Sequence, residues 1–186
     1  MYVLAIDPGV TTGMAMWWEE EGIERGAHAC QVGPKSGYER AGSKRDYLSV
    51  ALAINKIERT LKAALEAAAH NKLTELNVVC EEFTITQRTL QGTLERASLI
   101  IRDYLYVWCN QRGIPFTLQV VSGAKSISNQ NRIKAISPTL WIPGQQHSHD
   151  AARHLDLFLS RQDREIAPVY TQRMVKYAES LEVDDA

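Results

Sequence analysis

The chain has 186 residues, of which 45% are hydrophobic and 23% charged, a composition that supports a sizeable core and excludes wholesale disorder. This length suits one compact domain, and we expect a domain over residues 1–162 followed by a C-terminal tail over 163–186 that could be helical. The formal net charge is −1 with a pI near 6.5, so the global charge does not favour a non-specific nucleic-acid binder. The charge is uneven, however, because no acidic residue lies between Asp103 and Asp150. A neutral total can therefore hide a positive face.

The three cysteines and the N-terminal segment indicate the compartment. Cys30, Cys80 and Cys109 form no CxxC spacing, which argues against a disulfide framework or a zinc site and favours a reducing environment. The first residues, MYVLAIDPG, lack the basic and long apolar regions of a signal peptide. No run approaches the roughly 18 apolar residues that a membrane-spanning helix needs. We therefore expect a cytoplasmic protein with no membrane contact.

The first third of the chain predicts three strands and then a helix. The apolar run Tyr2–Ile6 ends at Asp7-Pro8-Gly9, where proline and glycine stop the strand. Two further strands are predicted at Gly13–Trp18 and Ile23–Val32, and the short acidic link EEEG between them suits a hairpin. Apolar side chains then recur at helical spacing at Ile54, Ile57, Leu61, Leu65 and Ala68.

The middle of the chain predicts a short buried strand and a long helix. Asn77–Cys80 is the strand, and it runs directly into Glu81. The helix covers about Thr89 to Arg112, and Gly113 supplies its stop. Its apolar seam alternates in steps of four and three through Leu90, Leu94, Ala97, Ile101, Tyr104 and Trp108. Other apolar residues lie off this seam, so we expect burial on two faces, within the fold or against a second subunit.

The last third predicts one strand and several helices. Phe116–Val121 is the fifth strand, and Ser122–Ile136 is a polar stretch with short helical pieces. A helix is predicted at His149–Ser160 and another at about Tyr170–Ser180. Three strands followed by alternating strands and helices predict an α/β fold, with a mixed five-stranded sheet flanked by helices.

Acidic residues stand where two of the apolar strands end. Asp7 follows VLAI, and Glu81 and Glu82 follow NVVC, so those two glutamates point to opposite sides of their strand. Carboxylates at strand ends can converge from distant segments, and burying several together is costly unless cations neutralise them. Mg²⁺ is typically held by a few such carboxylates. The alternative for Asp7 is a residue that caps the turn with its side chain.

A third group opens a late helix. His147 and Asp150 are three residues apart and share a face near the helix N-terminus, where the dipole favours an anion. One alternative is that Ser148 or Asp150 is only an N-cap. His154 lies four residues beyond Asp150 and could reach the same place, but we favour a helix-surface position for it.

The order and context of these motifs resemble the RuvC family of Holliday-junction resolvases, within the ribonuclease H-like superfamily. The resemblance is carried by VLAIDPGVTTGMA (Val3–Ala15), VVCEEF (Val78–Phe83) and HSHDAARHL (His147–Leu155). The family has a first-strand Asp-Pro-Gly, an apolar strand that ends in Glu, and a final helix with acid-x-x-Asp-Ala. The resemblance implies a ribonuclease H-like fold.

The resemblance also implies a set of site residues. Asp7 matches the central metal-bridging aspartate, Glu81 the second ligand and Asp150 the last, while His147 falls where many members have Asp and some have His. The implied cofactor is two Mg²⁺ ions per active site, with Mn²⁺ as an alternative because imidazole suits Mg²⁺ poorly. One metal would activate water for in-line attack and the other would stabilise the leaving 3′ oxygen, which leaves a 5′-phosphate and a 3′-hydroxyl.

The implied partner is branched DNA. A homodimer would cut a four-way junction at two symmetric sites, with the Leu90–Trp108 seam as a dimer element or simply as core. Lys125, Arg132 and Lys134 lie where the family has basic residues near the substrate, and we expect phosphate contacts from them. Because His147 must be neutral to bind metal, activity should fall below its ordinary pKa of ~6.5.

Two departures bear on substrate choice. Family members are usually more basic, and many have an aromatic residue three positions after the glutamate, where this chain has Thr84 and carries Phe83 one position earlier. The alternatives are therefore a related nuclease for flaps, other branched DNA or RNA–DNA hybrids, and a non-catalytic junction-binding module. An actin-like ATPase or sugar kinase would need a longer, two-lobed chain and a later glycine-rich phosphate loop.

Overall fold

The computed structural model describes residues 1–33, 44–70, 76–83 and 93–184. The strands are β1 Tyr2–Asp7, β2 Thr12–Glu20, β3 Ile23–Val32, β4 Leu76–Glu82 and β5 Phe116–Val120. The helices are α1 Lys44–His70, α2 Thr93–Asn110, α3 Val121–Ile127, α4 Gln130–Ile136, α5 Gln146–Leu159 and α6 Pro168–Asp184, with a short 3-10 helix at Pro138–Leu140.

The five strands form one sheet in the order β3-β2-β1-β4-β5. The first three are antiparallel neighbours, whereas β4 and β5 add in parallel beyond β1, as expected for strands joined by helices. The predicted EEEG hairpin is confirmed, and its turn residues Glu21 and Gly22 both have positive φ, at 52° and 73°. Two positive φ values match the right-handed twist of the flanking strands. The predicted mixed α/β sheet is confirmed.

Helices cover both faces of the sheet. Leu4, Ile6 and Val78 pack with α1 and α2 on one face, and Val3, Ala5 and Val79 pack with α4, α5 and α6 on the other. Because side chains alternate along a strand, Asp7 and Glu81 continue the second row and face α5. The strand periodicity thus assigns both acids to one side of the sheet.

The seam of α2 belongs to the core. Of its residues, Ala97, Ile101 and Trp108 are buried against the sheet and Tyr104 is partly buried there, while Leu90 lies outside the described residues. The expected burial on two faces is wrong for the chain by itself, because Ile100, Tyr106 and Val107 are exposed on the other side of α2.

The C-terminal segment folds as a helix. α6 begins two residues before the predicted Tyr170 and ends four residues after the predicted Ser180. Tyr170 is 4% exposed and packs in the same core as α5. The boundary between a domain over 1–162 and a tail over 163–186 stays a prediction. Within the described ranges, no helix is both long and apolar enough to cross a membrane.

Candidate metal centre

The first acid, Asp7, ends β1 and is held by the turn that follows it. The Thr12 hydroxyl donates to the Gly9 carbonyl at 2.7 Å, and the Ser98 hydroxyl on α2 donates to the Pro8 carbonyl at 2.6 Å. These bonds close the turn and tie it to a neighbouring helix. Asp7 is 8% exposed and its carboxylate contacts His147. The alternative that Asp7 caps the turn with its side chain is therefore wrong, because the Thr12 side chain closes the turn.

Gly13 allows the start of α5 to approach Asp7 closely. Gly13 pairs with Asp7 across the antiparallel β1–β2 register, so both face α5. A Cβ on Gly13 would lie 1.9 Å from the His147 carbonyl oxygen, so only glycine fits at this contact. The imidazole Nδ1 of His147 then lies 2.8 Å from Asp7 Oδ2. The absence of one side chain on β2 therefore sets the distance between α5 and the end of β1.

The N-cap of α5 is neither Ser148 nor Asp150. α5 begins at Gln146 after the cap residue Gln145, and the Ser148 hydroxyl donates to the Gln145 carbonyl from inside the first turn. The proposal that Ser148 or Asp150 is only an N-cap is wrong. The predicted start at His149 was three residues late, and His147 and Asp150 do share the N-terminal part of one helix.

The carboxylate of Asp150 is surrounded by donors. Arg153 donates to it from the next turn of α5, and Gln146 Nε2 lies 3.2 Å from its second oxygen. Lys125 Nζ on α3 lies 3.9 Å from Asp150 Oδ1. The side chain of Asp150 is 14% exposed, so this partly buried carboxylate is compensated by two cations.

Glu81 is the acid of its pair that faces α5. It is half-buried, whereas Glu82 is exposed. Glu81 Oε2 lies 3.2 Å from His154 Nε2, and His154 Nδ1 lies 3.0 Å from Gln119 Oε1. The expectation that His154 is a helix-surface residue is wrong, because α5 packs that face onto the sheet and leaves His154 1% exposed.

The pKa values of Asp7 and His147 depend on the neighbouring charged groups. The pKa of Asp7 is raised to about 6, because the effects of burial and of the charges of Glu81 and Asp150, which raise it, outweigh the hydrogen bond from His147, which lowers it. The hydrogen bond to Asp7 raises the pKa of His147 against the effect of burial. The four predicted residues thus act on one another across a small space at the carboxyl ends of β1 and β4.

The donor chemistry fits divalent metal ions. Three carboxylates and one imidazole are a set of hard oxygen donors with one nitrogen, and a cation would offset both the burial and the repulsion that raise the pKa of Asp7. In the described ranges, no three His, Cys, Asp or Glu side chains are arranged so that they could hold a metal ion together. The side chains instead meet in pairs, Asp7 with His147 and Glu81 with His154.

Solved structures with a similar fold were found by comparison. The structure described as T. thermophilus RuvC in complex with Holliday junction substrate is 16% identical, with 83% of this chain and 89% of that chain covered and a TM-score of 0.51. The chain has a RuvC-like fold. A second Thermus thermophilus RuvC structure is also 16% identical, with 83% and 90% coverage and a TM-score of 0.49. No family model and no curated protein matches the sequence.

The ribonuclease H-like fold implied by the sequence motifs is therefore confirmed. On this RuvC-like fold the three predicted DNA-contacting residues differ in their surroundings. Lys125 and Lys134 are exposed on α3 and α4. Arg132 instead donates from Nε to buried Asp156 at 2.7 Å and from Nη2 to the Tyr170 hydroxyl at 2.8 Å. Phosphate contacts stay a prediction for all three.

Sequence reasoning missed two neighbours of the site, Gly13 and Gln119, and assigned a third, His154, to the helix surface. Gly13 lies against His147, His154 contacts Glu81 and Gln119 contacts His154, yet none of them follows a strand as an acid does. Two signals were available. Gln119 interrupts the apolar strand FTLQVV, and His154 lies seven residues after His147, on the same helix face.

Proposed function

We propose that this chain is a metal-dependent endonuclease that cuts four-way DNA junctions. One observation carries the proposal: Asp7 lies level with Glu81 on adjacent parallel strands of a RuvC-like sheet, and His147 on α5 contacts Asp7 at 2.8 Å. A buried carboxylate with a pKa raised to about 6 by burial and by two further acids is typical of a catalytic site. The T. thermophilus RuvC of similar fold binds a Holliday junction substrate.

The chemistry follows from the donor set. Asp7 has the least exposed side chain of the four, and together with Glu81, His147 and Asp150 it would hold the two Mg²⁺ ions. When bound, the ions supply an activated water and stabilisation of the charge on the leaving oxygen. The imidazole of His147 makes Mn²⁺ a second suitable ion.

The protein residues divide the remaining tasks. His147 is 44% exposed at its side chain, so it lies at the rim of the site where a DNA strand would pass. Lys125 is 54% exposed and lies beside Asp150, where its ammonium can bind a phosphate adjacent to the scissile one. Lys134 is exposed further along the same side of the fold and would contribute charge along the DNA.

A homodimer would provide the two active sites that symmetric cutting requires. The α2 seam is already used in the core, so the second subunit would contact the exposed side of α2. Ile100 and Val107 are 39% and 51% exposed and lie seven residues, or about two turns, apart on one face. These two residues are the centre of the proposed dimer contact.

The substrate is tested with a panel of labelled DNAs. A four-way junction, a flap, a plain duplex and an RNA–DNA hybrid are incubated with the protein in Mg²⁺, in Mn²⁺ and with chelator. We expect paired, symmetric nicks in the junction that require metal. Cutting of flap or hybrid in preference to the junction would assign the same site to a related nuclease. This outcome is tested because the chain has Thr84, and not an aromatic residue, three positions after Glu81, with Phe83 one position earlier. Junction binding without cleavage of any substrate would favour a non-catalytic module.

A further inference from the structure

A buried hydrogen-bond chain leads from β5 through α5 to Glu81. His154 on α5 is 1% exposed, and its two ring nitrogens lie 3.2 Å from Glu81 Oε2 and 3.0 Å from the Gln119 amide oxygen. Gln119 is 3% exposed. Glu81 and Gln119 pair across the parallel β4–β5 register, so their side chains emerge side by side on the face that α5 covers. The strand pairing thus fixes the positions of Glu81 and Gln119, the two residues at the ends of this series of hydrogen bonds.

With a neutral His154 imidazole, only one arrangement of donors and acceptors fits the hydrogen bonds among Gln119, His154 and Glu81. A carboxylate only accepts, so the ring nitrogen that faces Glu81, Nε2, must carry the proton and donate. A neutral imidazole then has a bare Nδ1, which needs a donor. The Gln119 amide nitrogen can be that donor after a 180° rotation of the amide, and in the present orientation this nitrogen is buried with no partner among the described residues.

We infer that Gln119 and His154 are positioning residues, which hold the Glu81 carboxylate toward Asp7 by donating from Gln119 to Nδ1 and from Nε2 to Glu81. The inference deepens the proposed function and rests on it. The bond from His154 is made to Oε2, one of the two oxygens with which the Glu81 carboxylate could bind a metal ion. A ligand held in this way loses less side-chain freedom when it binds, and loss of such a supporting partner typically lowers metal affinity ~10- to ~100-fold.

Mn²⁺ binding to the intact chain without DNA tests the positioning role. Gln119→Met removes the donor and keeps the length of the side chain, and His154→Gln removes the ring. We expect Mn²⁺ affinity, measured by calorimetry, to fall ~10- to ~100-fold in each variant. His149→Gln is the matched control, because His149 is also a buried histidine on α5 but bonds the Ile142 carbonyl and stacks on Trp141. This control should keep the parent affinity.

The tautomer of His154 provides an independent readout. Nitrogen-15 NMR of the parent, assigned by the signals that His154→Gln removes, should show a protonated Nε2 and a bare Nδ1. In Gln119→Met, thermal unfolding checks that the fold is retained. A protonated Nδ1 in the parent, or parent-like Mn²⁺ affinity in folded Gln119→Met, would overturn the inference and leave the proposed function standing. Failure of the parent itself to bind Mn²⁺ would instead contradict the proposed function.

Discussion

Gly13 lies where the packing of α5 on the sheet determines the position of a candidate metal ligand, His147. It lies opposite Asp7, and the His147 carbonyl occupies the space that a Cβ would take. We expect Gly13→Ala to push the start of α5 away, to cost about 1–3 kcal/mol of folding stability through overpacking, and to reduce metal-dependent cleavage at least ~10-fold. Urea unfolding and cleavage kinetics measure the two effects.

A second glycine supplies the control for this prediction. A Cβ on Gly123 would meet Leu157 at 3.5 Å, an ordinary contact, and Gly123 lies within helix α3. Gly123→Ala should therefore keep the cleavage rate and raise stability by up to about 1 kcal/mol. Equal cleavage by Gly13→Ala and Gly123→Ala would show that the spacing between α5 and β2 does not set the site.

The pH dependence of metal binding also belongs to single residues. Asp7 must lose its proton to bind a metal ion, and its pKa is raised to about 6; His147 must be neutral, and the bond to Asp7 raises its pKa. Protons therefore compete with the metal as pH falls through about 6, and each displaced proton lowers affinity roughly tenfold per pH unit below its pKa. Mn²⁺ titrations from pH 8 to pH 5 measure this. A constant affinity over that range would exclude Asp7 and His147 as ligands.

At the scale of elements, α5 joins the site to the C-terminal part of the fold. Its N-terminal part carries His147 and Asp150, its middle carries His154, and its last turns carry Asp156. Asp156 is fully buried and accepts from Ser128, Arg132 and Tyr170. The bonds to this one carboxylate connect α5 with α4, α6 and the segment between α3 and α4, so they fix the helix that presents the ligands.

This network separates two roles for Arg132. Arg132→Leu leaves Asp156 buried without its cation, and we expect a loss of about 3 kcal/mol in unfolding free energy. Lys134→Ala on the same helix removes an exposed charge, so its effect should stay within about 0.5 kcal/mol. Urea unfolding compares the two. Full stability of Arg132→Leu together with weakened junction binding would instead support the predicted phosphate contact.

The sequence predicted elements better than contacts between them. Apolar runs located the five strands that the structure describes, and the acids at strand ends indicated Asp7 and the pair Glu81 and Glu82, because these signals are local in the chain. The family resemblance then selected Glu81. The environment of His154 depends on how α5 lies against β4 and β5, which no local pattern encodes. Arg132 presents the same limit, because a single basic residue in a polar stretch does not reveal a buried acid 24 residues away.

At the scale of the whole molecule, sheet topology brings the site together. β4 adds in parallel next to β1, with Ile6 opposite Cys80, so Asp7 and Glu81 lie at the same level near the ends of their strands although 74 positions separate them. α5 then crosses the same face and adds His147 and Asp150. This fold therefore brings the candidate ligands together from three distant segments without a compact sequence motif.

The dimer is a prediction at this scale. We expect the parent to sediment as a dimer and Val107→Glu to sediment as a monomer, because a charge would be buried in the proposed contact on α2. Leu52→Glu is the control, since Leu52 is a similarly exposed apolar residue on α1. Analytical ultracentrifugation distinguishes them. A monomeric parent, or a dimer that survives Val107→Glu but not Leu52→Glu, would contradict this contact.

Cleavage of a labelled four-way junction by the parent and by Asp7→Asn tests the central claim most directly, with junction binding measured on the same samples. Asn keeps the shape of Asp7 but removes the charge that two metal ions would share, and a loss of about 3 kcal/mol in transition-state stabilisation corresponds to at least ~100-fold in rate. We expect metal-dependent, paired nicks by the parent, their loss in Asp7→Asn, and retained junction binding. Metal-dependent nicking by Asp7→Asn at the parent rate would contradict the central claim, because the cleavage would then arise elsewhere than at this carboxylate.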